Sequence, residues 1–399
     1  RKAIVSVNLN TLNLLTITYG FNYTQDLIKK VSMALELYCT RDILLFKSAE
    51  KRFVFYLKDY RGPKELIKFC KDIIETLEAI LSMERTGGGV GVLRFDQQNN
   101  IVDIDQILKK ALIASERAID IYGRDFGICF YDKNMEMELI REENIKSELT
   151  RIAKDEDDGR LFLLYQPILD LKSNRICGFE ALARMDSPKL KSVSPLEFIP
   201  IAEKTKLIIP IGQKIFKKAF SFYNRMKERG YGSINISINI SAIQLLGKGF
   251  MDELFNMMER MDVPPGNICL EITESIFFSN YGKINNIIGE LRKRGIHIAI
   301  DDFGTGYSSL ARGSELNVSH IKVDKFFIDK LLNIHPNRAI TSDIISMAHK
   351  LGHCVIAEGV EHERQKQILN SFGCDKMQGF LFSKPISEER AIELMGGEK

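Results

Sequence analysis

The chain has 399 residues, 45% of them hydrophobic and 27% charged, a composition typical of a folded protein of about two domains. Its formal net charge is only +3, from 56 basic and 53 acidic residues, so we expect no nucleic-acid partner and no anionic membrane surface. The longest apolar runs have the length of strands and fall short of the roughly 20 residues that span a bilayer, which excludes a membrane segment within this sequence.

The seven cysteines are odd in number, widely scattered and mostly set within apolar runs. This usage predicts reduced, buried thiols and a cytoplasmic location. The chain opens at Arg1 without Met and passes almost directly into a strand-like run. We therefore expect a fragment, whose missing N-terminal region would be the place for a sensor or a membrane anchor.

In the first 135 residues, apolar patterns typical of strands alternate with patterns typical of helices. The predicted elements are Ala3–Val7, Thr24–Leu37, Ile43–Phe46, Phe53–Leu57, Glu65–Ser82, Gly89–Leu93, Ile104–Ile121 and Gly127–Tyr131. This order predicts a compact α/β domain over residues 1–135. The charged segment that follows has apolar residues at helical spacing, which predicts a helical linker over residues 136–153 with the domain boundary near residue 145.

From residue 154 to residue 399, short apolar strands recur and helical patterns separate most of them. The predicted strands are Leu161–Ile168, Ile176–Leu182, Ile234–Ile240, Ile268–Ile272, Ile296–Ile300, His320–Val323, Cys354–Ala357 and Met377–Phe382. The predicted helices include Ile211–Arg229, Met251–Met261, Gly282–Arg294, Ile340–Leu351 and Glu363–Phe372. Eight such repeats predict an α/β fold of the (β/α)₈ TIM-like barrel type, whose chemistry is expected at the carboxyl ends of the strands.

Polar residues follow most of the predicted barrel strands. They are Glu180, Asn239, Glu271, Asp301 with Asp302, Lys322, Glu358 and Gln378. Any one of them alone is as easily a helix cap or an ion-pair partner, but so many carboxylates at one rim would repel each other unless cations neutralised them. Oxygen ligands without His or Cys favour Mg²⁺ or Mn²⁺ over zinc.

The adjacent pair Asp301 and Asp302 is the natural bridge between two such ions, and two metals are a recurrent device for displacement at phosphorus. Lys322 and Arg184 add the cationic groups that a phosphate needs. The residues therefore predict a phosphodiesterase that uses two divalent cations and water.

Short motifs around these residues recur in one order to the end of the chain. They are Tyr165-Gln166-Pro167-Ile168, Glu180-Ala181-Leu182, Asn239-Ile240-Ser241, Glu271-Ile272-Thr273-Glu274, Asp301-Asp302-Phe303-Gly304, Lys322-Val323-Asp324, Ala357-Glu358-Gly359-Val360-Glu361 and Gln378-Gly379-Phe380. This set resembles the EAL-domain phosphodiesterases of bacterial cyclic di-GMP signalling, over about 240 residues.

The resemblance implies that the substrate is cyclic di-GMP, opened to linear pGpG. One metal would be held by Glu180, Asn239, Glu271 and Asp301, and the second by Asp301, Asp302 and Glu358. Substrate contacts are implied for Gln166, Arg184, Asp324, Glu361 and Gln378. The resemblance gives Glu358 the general-base role and Lys322 the holding of the attacking water, and these two assignments compete.

Two other classes remain as alternatives. One is a receptor that binds cyclic di-GMP without significant turnover, and the other is a scaffold with no nucleotide function. The intact carboxylate set favours the enzyme, because a receptor has no need for six metal-ligand positions, and a scaffold would leave the charged rim unexplained.

The first domain resembles the GGDEF diguanylate-cyclase fold in its order of elements. The turn that names that family is replaced by Ala49-Glu50-Lys51-Arg52-Phe53, and Asn8 stands where the family carries a metal-binding Asp. A cyclase needs carboxylates for its metals, so we expect a degenerate, inactive domain with a regulatory or dimerising role. GTP is its candidate ligand.

The resemblance also implies a homodimer in which the first domain acts on the second through the loop from Phe303 to Leu310. Two glycines, Gly304 and Gly306, leave that loop free to move. Glu274 would hold the loop in its working position.

Overall fold

The computed structural model describes residues 1–49, 51–84, 86–95, 103–123, 125–154, 159–304, 316–333 and 339–397, apart from the side chains of Asn10 and of residues 278–280. Two compact units make up the chain, Arg1–Arg141 and Glu142–Lys399. No helix among the described residues is both long enough and apolar enough to cross a membrane. The predicted domain limits at residues 135 and 153 remain predictions.

The first unit is a five-stranded sheet with helices. Its elements are β1 (Lys2–Asn8), α1 (Asn13–Tyr19), α2 (Phe21–Glu36), β2 (Ile43–Ala49), β3 (Arg52–Leu57), α3 (Pro63–Leu81), β4 (Gly89–Phe95), α4 (Ile104–Tyr122) and β5 (Gly127–Phe130), with a short 3₁₀ segment at Asn10–Leu12. The strand order is β2-β3-β1-β4-β5, and only β4 and β5 run parallel. Val5 of β1 and Phe55 of β3 are fully buried in the larger of two cores, and Ile4 and Val54 on the opposite face lie in a smaller core, so both faces of the sheet are covered.

Helix α5 (Lys133–Ala153) is a single helix within which the boundary between the two units falls. Within the second unit, Ile145, Leu149 and Ile152 of α5 are buried at helical spacing in the hydrophobic core. Glu148 and Arg160 form an ion pair at 3.0 Å that is largely removed from solvent. The second half of α5 is therefore an integral part of the second unit.

The second unit contains a closed barrel of eight strands. The nine strands described in this unit, of which all but β8 form the barrel, are β6 (Leu161–Asp170), β7 (Arg175–Ser187), β8 (Lys191–Val193), β9 (Asn235–Asn239), β10 (Ile268–Thr273), β11 (His297–Phe303), β12 (His320–Val323), β13 (Cys354–Ala357) and β14 (Lys376–Met377). The order around the barrel is β6-β14-β13-β12-β11-β10-β9-β7, and β7 pairs with β6 to close it, while β8 extends β7 outside the ring. The predicted barrel is confirmed.

Helices follow most of these strands. They are α6 (Pro195–Lys204), α7 (Ile208–Glu228), α8 (Ala242–Leu245), α9 (Phe250–Arg260), α10 (Phe277–Lys293), α11 (Lys325–Lys330), α12 (Ile340–Lys350), α13 (Glu363–Ser371) and α14 (Glu388–Gly396), with 3₁₀ segments at Pro265–Asn267 and Glu274–Ile276. In α7 the buried residues recur every three or four positions. The centre of its Phe222 ring lies 3.7 Å from the centre of the Tyr165 ring on β6 and 5.6 Å from the centre of the Phe179 ring on β7.

The first barrel strand departs from the regular (β/α)₈ pattern. Strand β6 runs antiparallel to both of its neighbours, β7 and β14, whereas the other pairs around the ring are parallel. The physical reason is the connection, because only a short turn separates Asp170 from Arg175 and a parallel pair would need a crossover of a dozen residues or more.

The last strand is shorter than the predicted run Met377–Phe382. After β14 the chain bends towards the loop that follows β13, where the N–H of Val360 donates to the carbonyl of Gln378 and the N–H of Leu381 donates to the carbonyl of Val360. Gly379 makes this approach possible, since a Cβ atom there would lie 2.1 Å from the Val360 oxygen and 2.3 Å from its nitrogen. These bonds hold Gln378 beside its neighbouring strands.

We predict that Gly379→Ala destabilises the barrel by about 1–3 kcal/mol, the usual cost of overpacking a tight site. Urea unfolding followed by circular dichroism measures it. The matched control is Gly282→Ala in α10, where nothing lies within 4 Å of the new methyl group and alanine favours the helix. An unfolding midpoint for Gly379→Ala equal to that of the control would show that this contact yields without cost.

Candidate active site

The polar residues predicted at the strand ends lie together at the carboxyl ends of the parallel barrel strands. Asn239 is the last residue of β9, Glu271 lies in β10, and Glu358 follows β13 directly. Each comes after buried aliphatic residues that fix its strand in the barrel wall. The register therefore carries these side chains to one rim, as it does in other α/β barrels.

Lys322 on β12 is the centre of the site, and none of its surface reaches solvent. Its ammonium nitrogen lies 2.5 Å from Glu271 Oε2, 2.7 Å from Glu358 Oε1 and 3.2 Å from Asp301 Oδ1. A fourth carboxylate, Glu180, is 3.7 Å away. The four acidic strand ends are thus gathered around one buried positive charge.

Amide side chains fix the orientation of Glu180. Asn239 Nδ2 donates to Glu180 Oε1 at 2.7 Å, and Gln378 Nε2 donates to Glu180 Oε2 at 2.6 Å. Gln378 Nε2 also donates to Gln166 Oε1 at 3.0 Å, and Gln166 Nε2 donates to the carbonyl of Ser383. Gln166 reaches this network from the middle of β6, where it is paired with Glu180 across the antiparallel register.

The neighbouring acids Asp301 and Asp302 lie where β11 loses its regular register, between Ile300 and Phe303. Asp302 has a φ of 54°, in the left-handed region that few residues other than glycine adopt, and its N–H donates to Asp301 Oδ1. Carboxylate oxygens of Asp301, Asp302 and Glu358 lie within 4.8 Å of one another. This group is close enough to share a cation.

Burial and mutual repulsion govern the protonation of the acids. Burial, then the nearby Glu180, raise the pKa of Glu271 well above its usual value. Burial raises the pKa of Glu358 to about 8, although Lys322 opposes the change. Asp302 is exposed at the mouth, but partial desolvation by the surrounding atoms and the charge of Asp301 still raise its pKa. Desolvation is the largest cause of each shift, and repulsion between the neighbouring acids acts in the same direction.

Burial and neighbouring charge act in opposite directions on the pKa of Lys322. Burial alone would lower its pKa, but the four surrounding carboxylates outweigh that cost and raise it well above the usual value. The lysine therefore stays protonated. Even so, its single positive charge cannot balance the acids that face it.

The donor set fits a hard divalent cation. Glu271 Oε1 is buried and has no hydrogen-bond partner among the described residues, so an oxygen lone pair faces the site unused. The available ligands are carboxylate and amide oxygens, which suit Mg²⁺ or Mn²⁺. The number of ions that the site holds stays a prediction.

Three predicted substrate contacts lie around the cluster. Arg184 Nη1 donates to the carbonyl of Ala183, and burial lowers its pKa while the charge of Glu180 opposes that change. Asp324 caps α11 by accepting from the N–H of Phe326, and its charge contributes to the raised pKa of Asp302. Glu361 is ion-paired with Lys325 at 2.8 Å. Their roles towards substrate remain predictions.

Glu274 is buried, and its Oε2 accepts from the N–H of Gly304 at 3.0 Å. This bond lies at the start of the loop that was expected to run from Phe303 to Leu310. Residues 305–310 of that loop lie outside the described residues. Its proposed movement is therefore not tested.

Sequence reasoning missed two residues that contact Glu361. Lys325 pairs with Glu361, and the fully buried Gln365 accepts from the N–H groups of Glu361 and His362. Lys325 directly follows the Lys322-Val323-Asp324 motif, which was the only signal available. Gln365 lies in α13. Glutamine is common on exposed helix faces, so the sequence did not indicate that this residue is buried.

A closed α/β barrel with a carboxylate-rich site at the carboxyl ends of its strands defines a class of barrel proteins suited to chemistry with hard cations. Residues 150–385, more than half of the chain, match the model of the family described as EAL domain. The chain belongs to the EAL domain family.

Named relatives agree with this assignment. The chain is 28% identical over 386 residues to the cyclic di-GMP phosphodiesterase PA2567 of Pseudomonas aeruginosa, covering 96% of this chain and 64% of that protein. It is 33% identical over 270 residues to the bifunctional diguanylate cyclase/cyclic di-GMP phosphodiesterase MucR of the same organism, covering 68% and 39%. The chain thus spans less than two thirds of the length of each.

Among solved structures, the chain is similar to one described as the PaMucR phosphodiesterase in complex with c-di-GMP. The sequence identity is 34% and the TM-score 0.57, over 61% of this chain and 98% of that chain.

We predict that Lys322→Met lowers the stability of the chain in EDTA by about 3–5 kcal/mol, because it leaves buried carboxylates without their counter-charge. Raised carboxylate pKa values let protons replace the lost charge as pH falls, so the loss should be smaller at about pH 5 than at about pH 8. Unfolding curves at both pH values measure it.

The control is Lys330→Met, because Lys330 is exposed and its Nζ lies over the ring of Phe326 instead of among carboxylates. If the two variants unfold alike at both pH values, Lys322 is not the charge that holds this cluster together.

Proposed function

We propose that this chain hydrolyses cyclic di-GMP to linear pGpG with Mg²⁺ or Mn²⁺. The observation that carries the proposal is the cluster of Glu180, Glu271, Asp301 and Glu358 around the buried Lys322, which leaves an excess of negative charge and an unused carboxylate oxygen. The phosphodiesterase activities by which PA2567 and MucR are named support the same substrate.

Two metal positions are part of the proposal. The first would be held by Glu180, Asn239, Glu271 and Asp301, and the second by Asp301, Asp302 and Glu358. Bound ions would supply Lewis-acid activation of water and stabilisation of charge on the phosphate oxygens. The close approach of Asp301, Asp302 and Glu358 supports the second position.

The protonation of Lys322 bears on the choice of general base. An ammonium group that contacts several carboxylates has no free electron pair, so it donates hydrogen bonds and does not accept a proton. Glu358 lies 2.7 Å from that ammonium and is partly exposed at the mouth. We therefore assign proton acceptance to Glu358 and the orientation of water to Lys322.

Substrate contacts are assigned to Gln166, Arg184, Asp324, Glu361 and Gln378. Gln166 and Gln378 are already oriented by their hydrogen bonds beside Glu180. Arg184 supplies a planar cation for a phosphate oxygen.

For the first unit we propose a regulatory or dimerising role without cyclase activity. Lys51 Nζ donates to Asn13 Oδ1 at 2.7 Å, and Arg52 is paired with Glu116 at 2.7 Å. Residue 50 of the replaced turn lies outside the described residues. Lys51 and Arg52 belong to the turn that would carry the acidic metal ligands of a cyclase, and Glu116 is ion-paired with Arg52. GTP binding and a homodimer remain parts of this proposal.

We predict that the chain converts cyclic di-GMP to pGpG with Mg²⁺ or Mn²⁺, and that EDTA abolishes turnover. Ca²⁺ should not support it, because Ca²⁺ prefers more ligands at longer distances. Glu358→Gln and Glu180→Ala should each lower turnover at least about a hundredfold. Chromatography of the products measures each reaction.

Gly282→Ala serves as the control for handling and folding. Binding of cyclic di-GMP without any pGpG would identify a receptor and overturn the hydrolase. Normal turnover in folded Glu358→Gln would remove the base role from that residue.

We also predict that the chain makes no cyclic di-GMP from GTP and Mg²⁺. The measurement uses Glu358→Gln, so that any product formed by the first unit is preserved and not consumed by the barrel. Accumulation of cyclic di-GMP in that variant would refute the inactive assignment.

A further inference from the structure

The short segment 358–362, called here the 358–362 turn, connects two functional positions. It starts at Glu358 in the carboxylate cluster and carries Glu361 at the rim. Gly359 has a φ of 66°, which bends the chain between the two acids. The orientation of both side chains therefore depends on how firmly this turn is held.

A buried glutamine ties the backbone of the turn to α11. Gln365 Oε1 accepts from the N–H groups of Glu361 at 2.8 Å and His362 at 2.9 Å. Its Nε2 donates to the carbonyl of Ile328 in α11. This contact fixes the backbone of the turn but does not by itself fix the carboxylate of Glu361.

Lys325, at the start of α11, supplies the missing side-chain tie. Its Nζ lies 2.8 Å from Glu361 Oε1, and its stem runs against the turn so closely that a Cβ atom on Gly359 would lie 2.5 Å from Lys325 Cγ. Only glycine leaves room for this stem. Lys325 therefore touches the turn between the two acids and also holds one of them.

We propose that Lys325 is a positioning residue that orients the Glu361 carboxylate for substrate binding. This inference rests on the proposed function. About two fifths of the Glu361 side chain is exposed, 39%, so without a partner the carboxylate would sample several rotamers. An exposed ion pair of this kind contributes little stability, so the effect should fall on ligand binding rather than on folding.

Lys325 has a second partner that provides an internal control. Its Nζ lies 3.2 Å from Asp329 Oδ1, one helical turn further along α11. Asp329 belongs to the helix and not to the turn. If Lys325 acts through Glu361, removing the charge of Asp329 should leave substrate binding unchanged.

The experiment compares Lys325→Met, Lys325→Arg, Asp329→Asn, Glu361→Gln and the double variant Lys325→Met/Glu361→Gln. Methionine keeps the apolar stem and removes the charge, and arginine restores the charge. Steady-state kinetics give kcat and KM in Mg²⁺. Calorimetry gives the Kd for cyclic di-GMP with Ca²⁺ in place of Mg²⁺, and melting curves check folding.

We expect Lys325→Met to raise Kd and KM about tenfold, the scale of one charge-assisted hydrogen bond, with kcat changed less than about threefold. Arginine and Asp329→Asn should stay within about threefold of the unchanged chain. The double variant should bind no more weakly than Glu361→Gln alone, because the lysine acts through that carboxylate.

Unchanged binding in folded Lys325→Met, or losses that multiply in the double variant, would overturn the role. A chain that binds cyclic di-GMP without turnover would sink the proposed hydrolysis, while its Kd values still decide the role of Lys325. A chain that neither binds nor hydrolyses it would overturn both.

Discussion

The structure of this site depends on one buried ammonium group. Lys322 contacts Glu271, Glu358 and Asp301 and lies near Glu180, so four strands bring their charges to one nitrogen. Burying such a group is costly unless its partners are well placed. Replacing the lysine together with its acids by aliphatic side chains would often give a more stable barrel, whereas removing the lysine alone leaves buried carboxylates without a counter-charge. What the lysine provides is orientation. It holds acids that would otherwise repel each other at short range, and it leaves enough negative charge for a cation.

The direction of one strand completes this arrangement. Because β6 runs antiparallel to its neighbours, Gln166 in the middle of the strand faces Glu180 across the hairpin. Gln378 then joins the two from the opposite side of the closing seam. A regular crossover helix between β6 and β7 would have reversed β6. The short turn between β6 and β7 therefore places Gln166 opposite Glu180, where it can contact Gln378.

Sequence patterns predicted the barrel and its polar rim because buried strands of this kind are short, apolar and followed directly by their functional residues. The apolar run itself does not give the direction of β6, since it reads the same way in either orientation. The signal in the sequence is the gap between Ile168 and Ile176, which is too short for the crossover that a parallel pair needs. The strand predicted at Met377–Phe382 ended early because Gly379 bends towards Val360, a contact between distant segments. The pairing of Lys325 with Glu361 was missed for the same reason, because it joins the start of α11 to the 358–362 turn, which periodicity does not relate.

The two halves of the acidic cluster differ in how rigidly they are built. Glu180 and Glu271 are buried and held by amides and by Lys322, so their geometry is set when the barrel folds. Asp302 is exposed, has a left-handed backbone conformation and lies two residues before Gly304, whose N–H is bound by Glu274. Asp302 at the mouth is therefore the less firmly held acid, whereas the barrel itself fixes Glu180 and Glu271 around Lys322. A shift of about an ångström can cost a catalytic site around a hundredfold in rate.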